Sequence, residues 1–225
     1  MLYAYQMWWS NNAHILIVVQ VLLLGFSGCT DRVRMYLTEM EQAEAALKKD
    51  PADLKAQAIL ITHSRSGNPI IRANAVGFIG RGQIRPLLSE MRTVVYAALG
   101  DTDRAVRRAA VEAMPRLGID ITPVLGRLRF MVTEGNIDTA WFAAEALGYG
   151  GGNSVAALPE LLWALGVKGV RDGPQLRVYA AEALGRMGSN ALPAVAALHA
   201  VRHDPDSEFR AAVEAAIVSI KKSQE

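Results

Sequence analysis

The sequence predicts an all-α solenoid of about five stacked helix pairs behind an N-terminal capping helix. Three observations predict it: a helical pattern that returns about every 35 residues, a column of small residues inside it, and prolines and glycines at matching places in each return. The pattern is anchored at Ile71, Val106, Thr139, Leu176 and Phe209, spaced 35, 33, 37 and 33 residues apart. Four residues on stand Ala75, Ala110, Ala143, Ala180 and Val213. Seven on stand Phe78, Ala113, Ala146, Ala183 and Ala216, and eight on Ile79, Met114, Leu147, Leu184 and Ile217. Offsets of 0, 4, 7 and 8 share one stripe of a 3.6-residue helix, whereas a strand alternates with period two. A methyl-sized side chain at offset four lets a partner helix approach closely.

Taken in chain order, the first element is the apolar run Ile15 to Phe26, broken only by Gln20 and followed by Ser27, Gly28 and Cys29, the single cysteine. A run this short matches the apolar part of a signal peptide and falls below the ~20 residues a spanning helix needs. Residues 1–28 are therefore expected to be a signal peptide, 29–50 the mature N-terminus and its capping helix, and 51–225 the repeats. Asp31 to Lys49 reads as a polar amphipathic helix ended before Pro51, the cap an open stack needs. Lys221 to Glu225 supplies a polar end opposite.

Within the repeats, Pro86, Pro123, Pro159 and Pro193 precede apolar helical runs and mark the starts of the first helices, since proline lacks only an N–H that would go unpaired there. Gly80, Gly118, Gly151 and Gly188 fall near the ends of the second helices, where a left-handed residue favours glycine. Asp101, Asp103, Asp172, Asp204 and Asp206 occupy the turns inside each pair as caps. Trp163, on a first helix, is expected in the core.

Two segments, Val106 to Met114 (VRRAAVEAM) and Leu176 to Gly188 (LRVYAAEALGRMG), resemble the second helix of HEAT repeats of the phycobilisome-lyase type, and the likeness extends over roughly residues 52 to 221. It implies an interaction scaffold. It also admits a bilin-lyase-like enzyme or chaperone, with pigment near Trp141, Phe142 and Tyr179. The third repeat departs from the others, with Ala140 where Arg72, Arg107, Arg177 and Arg210 stand. Leu24 to Cys29 resembles a bacterial lipobox, which implies lipidation of Cys29 and a lipoprotein on the extracytoplasmic face of a membrane. Phe26 stands where such boxes carry leucine, and no Lys or Arg precedes the apolar run. The alternative is an uncleaved anchor that, with Arg32 and Arg34 after it, places the repeats in the cytoplasm as an adaptor.

The chain carries 24 Lys and Arg against 22 Asp and Glu, all after Cys29. This near balance argues against a nucleic-acid binder, which needs a basic stripe. With one cysteine, no internal disulfide forms. Offsets three, six and ten share a second-helix face away from the apolar stripe, a groove by resemblance. It carries Glu112, Glu145 and Glu182, Arg116 and Arg186, and the aromatics Phe142, Tyr149 and Tyr179. Aromatic anchors beside charges suit a protein or peptide partner, so Trp141, Phe142, Glu145, Tyr149, Tyr179, Glu182 and Arg186 are the expected partner-binding residues. No catalytic set, cofactor or metal centre is expected. His199 and His203 have ligand spacing but no third ligand. His14, His63, His199 and His203 all lack the following Glu that a deoxyhypusine hydroxylase would show. The glycines at 148 and 150–152 follow a helix and lack the Lys-Ser or Lys-Thr of a phosphate loop.

Overall fold

The computed structural model describes residues 27–82, 89–135, 137–166 and 173–223. The apolar run before Ser27, Pro86 and Asp172 lie outside the described residues. The architecture is an all-α solenoid. A long helix α1 (Ser27–Lys49) is followed by five helix pairs: α2 (Leu54–His63) with α3 (Pro69–Arg81), α4 (Ser89–Ala98) with α5 (Arg104–Leu117), α6 (Leu125–Glu134) with α7 (Ile137–Tyr149), α8 (Leu158–Leu165) with α9 (Gly173–Arg186), and α10 (Val195–Val201) with α11 (Ser207–Lys222).

Local chemistry sets the helix starts. Asp103 caps α5 by accepting the Ala105 and Val106 N–H groups, and Asp206 caps α11 through Glu208 and Phe209. Asp53 and Asn68 do the same for α2 and α3. Each such cap satisfies donors that a helix cannot satisfy itself and contributes about 1 kcal/mol. Pro159 sits in the first turn of α8. Pro123 and Pro193 instead lie in short 3-10 segments, Thr122–Val124 and Gly188–Ala194, that lead into α6 and α10.

Gly118 ends α5 in the left-handed region, at φ 60, and Gly151 and Gly188 also have positive φ. Gly80 departs from this expectation. It lies inside α3, buried, and the residue capping that helix is Gly82 in a right-handed conformation. Its role is close packing: a Cβ built on Gly80 would lie 2.7 Å from the Ala113 Cβ and 2.9 Å from its Cα. Gly148 stands in the same relation to Ala183, and Gly185 to Ala216, with built Cβ atoms 2.9 and 3.0 Å from the facing Cα. The three glycines share offset nine, and the facing alanines share offset seven of the next repeat. At these three junctions, α3 with α5, α7 with α9 and α9 with α11, second helices thus meet backbone to backbone, whereas α5 carries Pro115 at offset nine.

The apolar stripe is buried along the whole stack. All five offset-four residues, Ala75, Ala110, Ala143, Ala180 and Val213, are fully inaccessible, as are Phe209, Ile79, Leu147 and Leu184. One cap of the stack is α1, whose buried face is Val33, Leu37, Met40, Ala43 and Leu47. His63 in α2 bonds the Glu39 carboxylate of α1 at 2.9 Å and lies 4.9 Å from the Tyr36 ring. Lys221 and Lys222 stand in the last turn of α11.

Arginines at one repeated position clasp the turns, and two of them, Arg72 and Arg177, join one pair to the next. Arg72 donates to the Ser66 and Gly67 carbonyls, six and five residues back. It also grips the Asp101 carboxylate of the next turn through Nε at 2.9 Å and Nη2 at 2.8 Å. Arg107 and Arg210 repeat the carbonyl contacts, to Asp101 and Thr102 and to Asp204 and Pro205. Arg177 repeats the carboxylate contact, reaching Asp204 at 2.6 Å. This side chain suits the task because its planar fork satisfies several acceptors at once. The third repeat has Ala140 in place of this arginine, and there the ladder is broken.

Trp163 is not in the core. It is 49% exposed on α8, and Phe130, its counterpart on α6, is 64% exposed. The run Leu161, Ala164 and Leu165 fills the core and turns Trp163 outward.

Candidate functional site: the face of the second helices

The charged and aromatic residues of the predicted face come together across α5, α7 and α9. Three helical turns fix them: Arg104, Arg108 and Glu112 on α5; Trp141, Glu145 and Tyr149 on α7; Tyr179, Glu182 and Arg186 on α9. Each set advances by three or four residues and so shares a side of its helix.

Two of the expected contact residues lie beneath this surface. Trp141 and Phe142 are 4% and 5% exposed, because the close approach of successive second helices leaves no room for a large ring to stand clear at those offsets. They support the face from below. The Trp141 ring lies 6.4 Å from that of Tyr179, the Arg104 guanidinium lies 5.2 Å over Trp141, and that of Arg107 lies 5.5 Å from Phe142.

Above them lies a connected charge network. Arg186 bonds Glu182 at 3.1 Å and covers the Tyr149 ring at 4.9 Å. The Tyr149 hydroxyl donates to Glu145 at 3.4 Å. On α5 the partner of Glu112 is Arg108, at 2.9 Å, rather than the Arg116 that i to i+4 spacing also offers. Burial pushes the Glu145 carboxyl above the ordinary glutamate range, against the pull of Arg186 and Arg108. Burial likewise raises the Tyr149 and Tyr179 hydroxyls. These groups form one partly dry electrostatic unit in which each charge feels those on the neighbouring helices.

The face fades at both ends of the stack. On α3 the same offsets hold Asn74, whose amide is spent on the Ile70 carbonyl, Gly77, and Arg81, which lies over Phe78 and 3.6 Å from Glu44 of α1. On α11 they hold Ala212, Ala215 and Ser219, whose hydroxyl donates to the Gly185 carbonyl at 2.8 Å. Sequence reasoning missed Arg104 and Arg108. Their spacing from Glu112, eight and four residues, is the signal that places all three on one side of α5.

Among the described residues, no group of three or more His, Cys, Asp or Glu side chains is placed to hold a metal ion. His199 is half-buried on α10 and His203 is exposed beyond it. Cys29 lies in the first turns of α1. No helix among the described residues is long and apolar enough to cross a membrane.

No family model matches the chain, and no curated protein matches it. Solved structures do. An engineered protein from a structural genomics consortium aligns with a TM-score of 0.55 at 18% identity, covering 92% of this chain and 97% of that one. A designed armadillo repeat protein, solved in complex with the peptide (KR)4, aligns with a TM-score of 0.56 at 15% identity, covering 90% of this chain and 98% of that one. Identities this low speak to fold. The chain is a helical repeat protein of the α-solenoid class.

Proposed function

We propose that the chain is a membrane-tethered interaction module, of HEAT-like type, that holds an extended segment of a protein partner against the faces of α5, α7 and α9. One observation carries this reading. Tyr149, Tyr179, Glu145, Glu182 and Arg186 are gathered on two adjacent second helices, where the first and last repeats place small side chains or polar groups already bonded within the stack. Aromatic rings and charges at a partly desolvated centre are what binding hot spots are made of. The designed armadillo protein with its (KR)4 peptide supports the same use of such a stack.

The tether belongs to the proposal as well. Ser27, Gly28 and Cys29 after an apolar run support a lipid-modified Cys29 that holds the repeats at the extracytoplasmic face of a bacterial membrane. No nucleic acid is required as a partner.

The test is affinity capture from detergent-solubilised membranes with the wild type and with Tyr179→Ala combined with Glu182→Lys. The double variant removes a half-buried ring and inverts a charge, and both side chains lie outside the positions of the apolar stripe. Capture of the main partner disappears while circular dichroism keeps the wild-type helical signal. Undiminished capture rejects this face.

A further inference from the structure

Glu145 occupies the middle of the face and has less support than the charges around it. Among the described residues, the hydrogen bond it receives is the long one from Tyr149, at 3.4 Å. Arg108 and Arg186 both act on it electrostatically, yet each guanidinium is bonded to another carboxylate, Arg108 to Glu112 at 2.9 Å and Arg186 to Glu182 at 3.1 Å. Both cations that act on Glu145 are thus bonded elsewhere, and among the described residues Glu145 has no ion pair of its own. The Tyr149 and Tyr179 rings flank it, both partly buried and both electrostatically coupled to it.

We propose that Glu145 seats a cationic side chain of the bound segment, a lysine or arginine whose stem lies along the Tyr149 and Tyr179 rings and whose head meets the carboxylate. This deepens the proposed function and rests on it. Three physical terms converge. A half-dry carboxylate gains more from an incoming cation than a solvated one does. The long stem of lysine or arginine covers ring surface while its head stays polar. A cation near a tyrosine face adds its own attraction. An acidic segment would bring a carboxylate against Glu145, where the two cations that act on it are already bonded to Glu112 and Glu182.

A pH dependence follows from the same geometry. The groups that act on Glu145 are Arg108 from α5, Tyr149 from its own helix, and Glu182 and Arg186 from α9, with Tyr179 of α9 coupled to it in turn. Burial holds the Glu145 carboxyl above its ordinary value, so it is the group that neutralises early as the solution is acidified. Affinity for a cation falls as it does.

The experiment titrates the full chain with three synthetic peptides: one alternating lysine with serine, its lysine-acetylated form, and its glutamate counterpart. The readout is the ring-proton NMR signals of Tyr149 and Tyr179. The lysine peptide shifts both rings and binds at least about tenfold more tightly than the acetylated form. Glu145→Gln removes that difference and its pH dependence while helical content is unchanged. Equal binding of the acetylated peptide, preference for the glutamate peptide, indifference to Glu145→Gln, or no binding of any of the three overturns the assignment. The two readings fail separately. Equal shifts from lysine and acetyl-lysine remove the cation seat and leave the face, whereas partner capture that survives Tyr179→Ala with Glu182→Lys removes the face itself.

Discussion

Gly77 and Gly80 lie one turn apart on α3, and alanine at each should move stability in opposite directions. A Cβ on Gly77 would meet only the Arg81 Nη1, at 3.4 Å, an ordinary contact with the end of a flexible side chain. Gly77→Ala therefore keeps the propensity gain of alanine over glycine in a helix, about 0.8 to 1.0 kcal/mol. On Gly80 the same methyl would stand 2.7 Å from the Ala113 Cβ and 2.9 Å from its Cα. Backbone cannot swing aside, so α3 and α5 must separate, and overpacking of this kind costs about 1 to 3 kcal/mol. The propensity gain offsets part of that cost, and less of it at Gly80 because the helix ends at Arg81. A net loss of about 1 to 2 kcal/mol remains. The two variants should differ by about 2 to 3 kcal/mol, or roughly 4 to 12 °C in midpoint for a chain of this size. Thermal unfolding followed by circular dichroism measures the difference. A Gly80→Ala midpoint at or above that of Gly77→Ala would refute the backbone contact between second helices.

Asp101 gives a stability change with a definite pH sign. The hydrogen bond from Arg72 holds its carboxyl below the ordinary aspartate range, so its contribution is complete above the unfolded value and is lost as pH falls through the folded one. Asp101→Asn should cost about 2 kcal/mol at neutral pH, and urea titrations should show the difference closing in strong acid. Glu145 has the opposite sign: burial raises its carboxyl, so its charge is a burden above the folded value that is relieved as pH falls through it. Glu145→Gln should hold or raise the melting temperature at neutral pH, and the gain should vanish on acidification. Ala143→Leu or Ala180→Leu, at fully buried positions, should cost about 1 to 3 kcal/mol, while Arg186→Ala, losing one exposed pair, should cost a few tenths by the usual scale of such pairs. Equal shifts from the two classes would undo the register of the apolar stripe. Cys29→Ser should abolish acylation, and an intact Met1 terminus with a free thiol in the native protein, by mass spectrometry, would remove the lipid anchor.

The fold was legible because its information is repeated. Offset four is small or β-branched in all five repeats and inaccessible in all five, and a column of five agreeing positions fixes helical phase better than any single helix can. The aspartate caps were legible for the same reason. Gly80 misled because sequence spacing does not separate a glycine that ends a helix from one that lets a neighbour approach; both fall near the last turn. Trp163 misled because hydrophobicity ranks it with the core, whereas its phase relative to Leu161 and Leu165 turns it outward. Trp141 and Phe142 show the converse. Offsets two and three look exposed on a lone helix, but side chains of the neighbouring second helices cover both rings. The network around Glu145 was legible residue by residue but not as a set, since which arginine pairs with Glu112 depends on where α7 and α9 place Glu145 and Tyr179.

The third repeat ties the stacking to the face. Elsewhere an arginine after the anchor position clasps its own turn, and in two repeats the next turn too, through carbonyls and an aspartate. At Ala140 that clasp is gone. Arg104 over Trp141 and Arg107 beside Phe142 stand one junction earlier, where cation–ring contacts join the second pair to the third. Such contacts are worth about 0.5 to 2 kcal/mol each, depending on burial, comparable with a hydrogen bond. They also fix what lies above, because the Trp141 ring is the platform for Tyr179. Trp141→Ala should therefore lower the melting temperature and weaken partner capture together, whereas Tyr179→Ala, at a half-buried rim position, should weaken capture with a smaller loss of melting temperature. If Trp141→Ala leaves the melting temperature unchanged while capture is lost, the ring is a contact residue after all and not the support assigned to it.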